Sequence, residues 1–293
     1  LLGGMLISLN LIISLLYLFF FEESKYLYFT YFQNSNKSFL IFIFVFTSLF
    51  LIGVLDDKFS LSPIKRFFFI SFLIFFMCTT DYSIRIDNIK FSFLNIDFDF
   101  NQLSKSFTIC CFLVLIISMN MFDGINLQSF LFYSTNFISF LILTNVINPV
   151  ILSLIIGLIF FGYLNFKNKC FLGDSGTYLL SFLLGFYLIR LHNNYDFVYT
   201  DTIVNFLFLP VVDSIRVIIK RIIQNKAIFL PDNSHLHHRL LKKYGFNKTI
   251  ICIYSIIILP HILFFLDTSG AIIFLLQTIV YTSTIIISKN VSH

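Results

Sequence analysis

No tryptophan occurs in the chain, charged side chains are scarce, and the cysteines form no paired motif. Each absence excludes something. Charged residues make up 12% of the sequence, about half the roughly 25% usual in soluble domains, so an ordinary water-soluble globule is excluded. The five cysteines, Cys78, Cys110, Cys111, Cys170 and Cys252, lie mostly in or beside apolar segments and make no C-x-x-C pair. That argues against a disulfide framework and a zinc site. No basic stripe with a reading motif accompanies the net charge of +5, so no nucleic acid is expected as a partner. The lack of Trp beside 42 Phe and 14 Tyr reads as compositional bias, and no cofactor box is inferred from the aromatics. No signal peptide with a cleavage site and no internal repeat is evident.

What is present is apolar. The hydrophobic share is 58% and the mean hydropathy +0.89. Segments near the roughly 20 residues that span a bilayer recur along the chain. The expected fold is therefore all-α: one polytopic transmembrane helix bundle over residues 1–293. About ten spans are expected, at 5–21, 39–54, 65–80, 107–122, 128–144, 150–165, 176–190, 202–219, 250–266 and 270–287. The connections then alternate between two sides. One side, with loops near 55–66, 120–127, 166–176 and 220–249, collects fourteen of the twenty Lys and Arg. The positive-inside rule makes it cytoplasmic. The other side holds Lys25, Lys37, Arg85, Lys90, Lys105 and Arg190, and includes the polar segment 81–106, a candidate hairpin or partner contact.

The unusual stretches all fall on the basic side: GVLDDKFSLSPIKRF (53–67), NMFDGIN (120–126), FLGDSG (171–176), VVDSIRVIIKR (211–221) and PDNSHLHHRL (231–240). Acids near membrane depth are costly and usually functional. Asp56 and Asp57 taken alone fit a solvated helix end as well as they fit chemistry. Asp123 and Asp174 bring acids from two further turns, and three acid-bearing turns on one face suit a divalent cation. Mg²⁺ takes one or two carboxylates and completes its shell with phosphates and water. The H-L-H-H-R run lacks the partners of a zinc site. It fits phosphate binding, where Arg matches the ligand's geometry.

At these residues the chain resembles the polyprenyl-phosphate N-acetylhexosamine-1-phosphate transferases, in motif order and over essentially its whole length. Leu2-Gly3-Gly4 resembles the end of that family's P-T-P-x-x-G-G motif. With Leu1 in place of Met, this leads to the expectation that one N-terminal span precedes the sequence. The resemblance implies transfer of a sugar-1-phosphate, GlcNAc-1-phosphate first, from a UDP-N-acetylhexosamine to a polyprenyl phosphate. UMP is released, and envelope glycan synthesis such as that of O-antigen begins. It implies Mg²⁺, with Mn²⁺ as a substitute, a bacterial inner-membrane location and a cytoplasmic active site. A homodimer stays open.

By motif, Asp56 and Asp57 match the Asp pair linked to lipid phosphate, and Arg66 a phosphate-binding base. Asn120 and Asp123 match N-x-x-D-G, which helps hold Mg²⁺ and shape the nucleotide pocket. Asp174 matches the Mg²⁺ ligand of F-x-G-D-x-G, and Phe171 the aromatic that stacks on uracil. Asp213 and Arg216 match D-x-x-R. His235, His237, His238 and Arg239 match the loop that engages pyrophosphate. Asn126 stands where many bacterial members have Asp, and Leu127 where they have Gly. Gly173 and Gly176 are expected to let backbone approach the diphosphate, with the positive end of the following helix facing phosphate. Three other readings stand beside this one: a phospho-MurNAc-pentapeptide transferase-like activity, a transporter and an inactive relative.

Overall fold

The structure, a computed structural model, describes residues 2–21, 36–94, 96–145, 148–227 and 234–289. Leu1, Lys25 and the Pro231–Asn233 start of the His segment lie outside the described residues.

Helices dominate: α1 (Leu2–Phe21), α2 (Asn36–Phe59), α3 (Pro63–Thr80), α4 (Ser104–Phe122), α5 (Gln128–Thr144), α6 (Pro149–Phe166), α7 (Gly173–Asn194), α8 (Thr200–Phe206), α9 (Phe208–Ile223), α10 (Leu236–Phe265) and α11 (Gly270–Lys289). Two of them begin where sequence dictates. Pro63 and Pro149 occupy first-turn positions, where a missing N–H costs nothing. Asn148 adds a side-chain cap to the amides of Val150 and Ile151.

Counted with α8 and α9 as one element bent by 72°, helices stand at all ten expected positions. By length and composition, six described helices can cross a membrane, or seven with the bent pair as one span. For α7 and α5 the reason for the shortfall from ten is physical. Helix α7 is buried continuously from Ser175 to His192, so protein rather than lipid covers it and it can carry Ser, Thr, Arg and His. Helix α5 turns Gln128, Ser129, Ser134, Asn136 and Ser139 inward.

Around α7 pack α1, α2 and α4. Phe42, Phe46, Phe112, Phe182 and Phe186 form a continuous ring cluster between them, with centroids 4.6–6.3 Å apart. Outward, α3 exposes Phe67, Phe68, Phe72 and Phe75, as a lipid-facing helix does.

At one end of the bundle a two-stranded antiparallel hairpin joins α3 to α4, with β1 (Asn88–Lys90) pairing β2 (Asp97–Asp99). The candidate hairpin of the 81–106 segment is thus present. It is tied down by Lys90 N–H to Thr200 (3.1 Å), by Ser92 N–H and Oγ–H to Asp201 (2.8 and 2.7 Å), and by His192 to Asn88 O (3.0 Å). At the same end, buried Arg190 lies 3.5 Å from Asp81. The acid-bearing motifs gather at the opposite end.

Candidate active site

Two sequence expectations about loops are corrected first. Asp56 and Asp57 lie in the last turn of α2, which runs on to Phe59 through part of the expected loop. His237, His238 and Arg239 lie in the first turn of α10, not in a loop. That stretch was hidden because its first turns are polar. At Gly245 the backbone breaks (φ 72°, ψ 177°), in a region of φ open to Gly without strain, and the apolar span follows.

The Asp pair splits its work. Asp56 is buried, 3% exposed, and fully engaged. Its Oδ1 accepts from Leu61 N–H (2.9 Å) and its Oδ2 from Arg66 Nη1 (3.1 Å) and Tyr178 Oη (2.7 Å). A buried charge with these donors is stable, whereas stripping one partner costs about 3–5 kcal/mol. Asp57 reaches across to α7. Its Oδ1 accepts from Asp174 N–H (2.8 Å) and its Oδ2 from Ser175 N–H (3.1 Å). Helix α7 has no side-chain cap of its own at Leu172, so these amides would otherwise be orphaned.

Gly173 sits at φ 72°, and a Cβ there would stand 2.9 Å from Asp57 Oδ2. Its glycine therefore makes room for the Asp57 carboxylate. The expectation for Gly176 is also replaced. A Cβ on it would strike Leu172 and stand 3.0 Å from Gly4 Cα, so it is a close-packing glycine between α7 and α1. The two amides at the start of α7 are likewise occupied by Asp57, and do not face an open anion site.

Asp174 is the open acid. Its side chain is 29% exposed, Asn120 Nδ2 donates to its Oδ1, and Arg66 Nη1 stands 4.0 Å from its Oδ2. Burial, with the charges of Asp56 and Asp57, pushes its pKa up to about 6 against the Asn120 hydrogen bond. Asp123, just past the end of α4, accepts from Ser129 Oγ (2.6 Å) and is raised to about 6, chiefly by burial.

The D-x-x-R and His motifs form one unit. Asp213 accepts from His235 Nδ1 (2.8 Å), Arg216 Nη2 (2.7 Å), Tyr281 Oη (2.8 Å) and Leu236 N–H (3.2 Å). It thus holds the start of α10 from α9. His237 packs between His235 and His238, at 5.4 and 4.2 Å between centroids, and its ring lies against Gly124. The motif acid Asp123 and the His segment are therefore neighbours. His237 lies ahead of the Gly245 break and so outside the span. Burial and the neighbouring imidazoles lower its pKa to about 3, so it is neutral at ordinary pH. Its Nε2 is buried with no protein partner. His238 and Arg239 are half-buried beside it.

Phe171 stands exposed (58%) on the loop before α7. Asn126 reaches that loop through Asn168 and the end of α6 through Asn165, whose Nδ2 donates to its Oδ1 at 3.4 Å. Leu127 holds a left-handed backbone (φ 69°) where relatives of the resembled type have Gly. Its N–H donates to Asn165 Oδ1 (2.6 Å). The sequence reading did not single out Tyr178, Ser129, Gln128, Asn165 or Tyr281. Their signal is geometric, since each acts on a motif residue and all but Ser129 do so from far along the sequence.

Among the described residues no three His, Cys, Asp or Glu side chains converge as a closed metal cage. An open set of Asp174 and Asn120 beside Asp56 and Asp57, with Arg66 against them, nevertheless fits a hard divalent cation that completes its shell with phosphate and water.

Among curated proteins, the chain is similar to a probable undecaprenyl-phosphate N-acetylglucosaminyl 1-phosphate transferase of Bacillus subtilis. The two are 24% identical over 201 residues, covering 65% of this chain and 54% of the relative. It is also similar to a decaprenyl-phosphate N-acetylglucosaminephosphotransferase of Mycobacterium leprae, 30% identical over 122 residues, covering 36% of this chain and 31% of that one. The chain thus spans about half of the first relative and about a third of the second. Residues 39–192 match the sequence profile of glycosyl transferase family 4. That stretch carries the Asp pair, Asn120, Asp123 and Asp174 on one continuous match over more than half of the chain, and the chain belongs to glycosyl transferase family 4.

Proposed function

We propose that this multi-pass membrane protein transfers a sugar-1-phosphate, N-acetylglucosamine-1-phosphate first, from a UDP-sugar to a polyprenyl phosphate on the cytoplasmic side. The observation that carries the reading is the convergence of Asp174, Asn120, the Asp56–Asp57 pair and Arg66 at one end of the bundle. Family membership and the names of the two relatives support the substrate classes. The excess of Lys and Arg on loops at that end supports the side.

A phosphate oxygen of the lipid attacks the β-phosphorus of the UDP-sugar. The bond from that phosphorus to the bridging oxygen breaks, and UMP leaves with the bond's electrons. Lipid phosphate is largely ionised near neutral pH, so positioning and charge neutralisation outweigh the need for a strong base. Mg²⁺, held by Asp174 with Asn120 beside it, would neutralise diphosphate charge.

The chain's own groups do the rest. Arg66 offers a guanidinium already oriented by Asp56. The exposed Phe171 ring suits stacking on a flat base. His237 has one ring nitrogen, Nε2, without a protein partner, beside Gly124 of the D-G motif, and it is assigned to the phosphate end of the UDP-sugar. His238 and Arg239 extend that face, and Asp213 fixes it through His235 and the first amide of α10. Membranes carrying the chain, given labelled UDP-GlcNAc and polyprenyl phosphate, should form a labelled lipid and UMP. No product with any UDP-hexosamine contradicts the reading.

A further inference from the structure

Asp57 stands in the motif pair linked to lipid phosphate, yet both its oxygens are taken by the first amides of another helix. We propose that Asp57 is a positioning residue: it caps α7 from α2 and fixes where the Asp174 carboxylate stands, rather than acting on the lipid phosphate itself. The proposal rests on the proposed reaction only for what Asp174 then does.

Three independent features carry it. Each carboxylate oxygen meets one amide, Oδ1 that of Asp174 at 2.8 Å and Oδ2 that of Ser175 at 3.1 Å. The α7 terminus has no cap from its own chain segment, so the two amides depend on an outside acceptor. The space is built for it. Gly173 has a left-handed backbone and no Cβ, and a Cβ would press on the Asp57 carboxylate. At Gly53, one turn before Asp57, a Cβ would collide with the Ser175 backbone, so α2 and α7 touch main chain to main chain beside the cap.

Taking up a proton would neutralise Asp57 and weaken it as an acceptor for these two amides. An anionic cap also gains from the helix dipole, so two terms hold it in place. The same device recurs at the other half of the site, where Asp213 of α9 accepts from Leu236 N–H at the start of α10. Helices α7 and α10, which carry Asp174 and His237, are thus each seated by an aspartate from a different helix.

The test compares the full chain in lipid nanodiscs with its Asp57→Asn and Asp57→Ala variants. Hydrogen exchange is followed in the 171–178 peptide, Mn²⁺ binding by spin resonance, and kcat against pH. The proposal expects at least tenfold faster exchange of the α7 amides in Asp57→Ala and about tenfold weaker Mn²⁺ binding. It also expects a lower kcat that still rises with pH, the rise moved to lower pH because Asp174 loses a neighbouring charge. Asp57→Asn, which retains one acceptor, should fall between, and it serves if the alanine variant does not insert. Unchanged exchange and Mn²⁺ binding, with kcat lowered all the same in both variants, overturn the proposal and place Asp57 in the chemistry itself. If the wild type transfers no sugar phosphate, the proposed function fails, while exchange still decides the cap.

Discussion

At the residue scale, the acids differ by what holds them. Asp56 and Asp57 are spent on donors within the protein, while Asp174 keeps an open edge. Asp174→Asn should therefore lower kcat by at least a thousandfold and remove the response to Mg²⁺, with the protein still inserted. Wild-type turnover in that variant would remove Asp174 from the metal site. Phe171→Ala should raise the KM for the UDP-sugar about tenfold with little change in kcat, since base stacking contributes about 1–3 kcal/mol. An unchanged KM would place the base elsewhere. A pH dependence also follows. Asp174 and Asp123 are both pushed up to about 6, so each takes up a proton as pH falls through 6 and loses the charge that the site needs. Initial rates at low UDP-sugar should fall about tenfold or more per pH unit below 6 and stay level from 6.5 to 7.5. A flat profile down to pH 5 would contradict the assignment of both acids.

At the scale of the element, the helices were legible because apolar runs of bilayer length leave little else to form. Their polar ends were not. Helix α2 extends through Asp56 and Asp57, and α10 starts at Leu236, because partners elsewhere satisfy these ends: Arg66 and Tyr178 for one, Asp213 for the other. Local composition holds no trace of a cap donated from another helix. The motif residues themselves were readable, and four of the acid-bearing stretches do meet. What escaped the sequence were their holders, Tyr178, Ser129, Gln128 and Tyr281, ordinary residues outside the motifs. Asp213→Ala should leave insertion intact but free the start of α10. A fall in kcat of about 10- to 100-fold is expected, equal to the roughly 1–3 kcal/mol of a charged hydrogen-bond anchor. Full activity in that variant would show that the His segment needs no anchor.

On the scale of the whole molecule, the two ends of the bundle have different characters. One gathers the motif acids Asp56, Asp57, Asp123, Asp174 and Asp213 with Arg66 and the His segment. The other is closed by the hairpin clasp on Thr200, Asp201 and His192. If α7 connects them across a bilayer, Lys167→Cys and Asp97→Cys should react with a membrane-impermeant thiol reagent from opposite faces, Lys167→Cys from the cytoplasm. Labelling of both from one face would contradict the topology. The central claim is the reaction. Its most direct measurement incubates purified chain in nanodiscs with radiolabelled UDP-GlcNAc and polyprenyl phosphate, with and without Mg²⁺. The account predicts lipid-linked label and equimolar UMP with Mg²⁺ and neither without it. Label that stays wholly in the UDP-sugar, whichever hexosamine it carries, would contradict it.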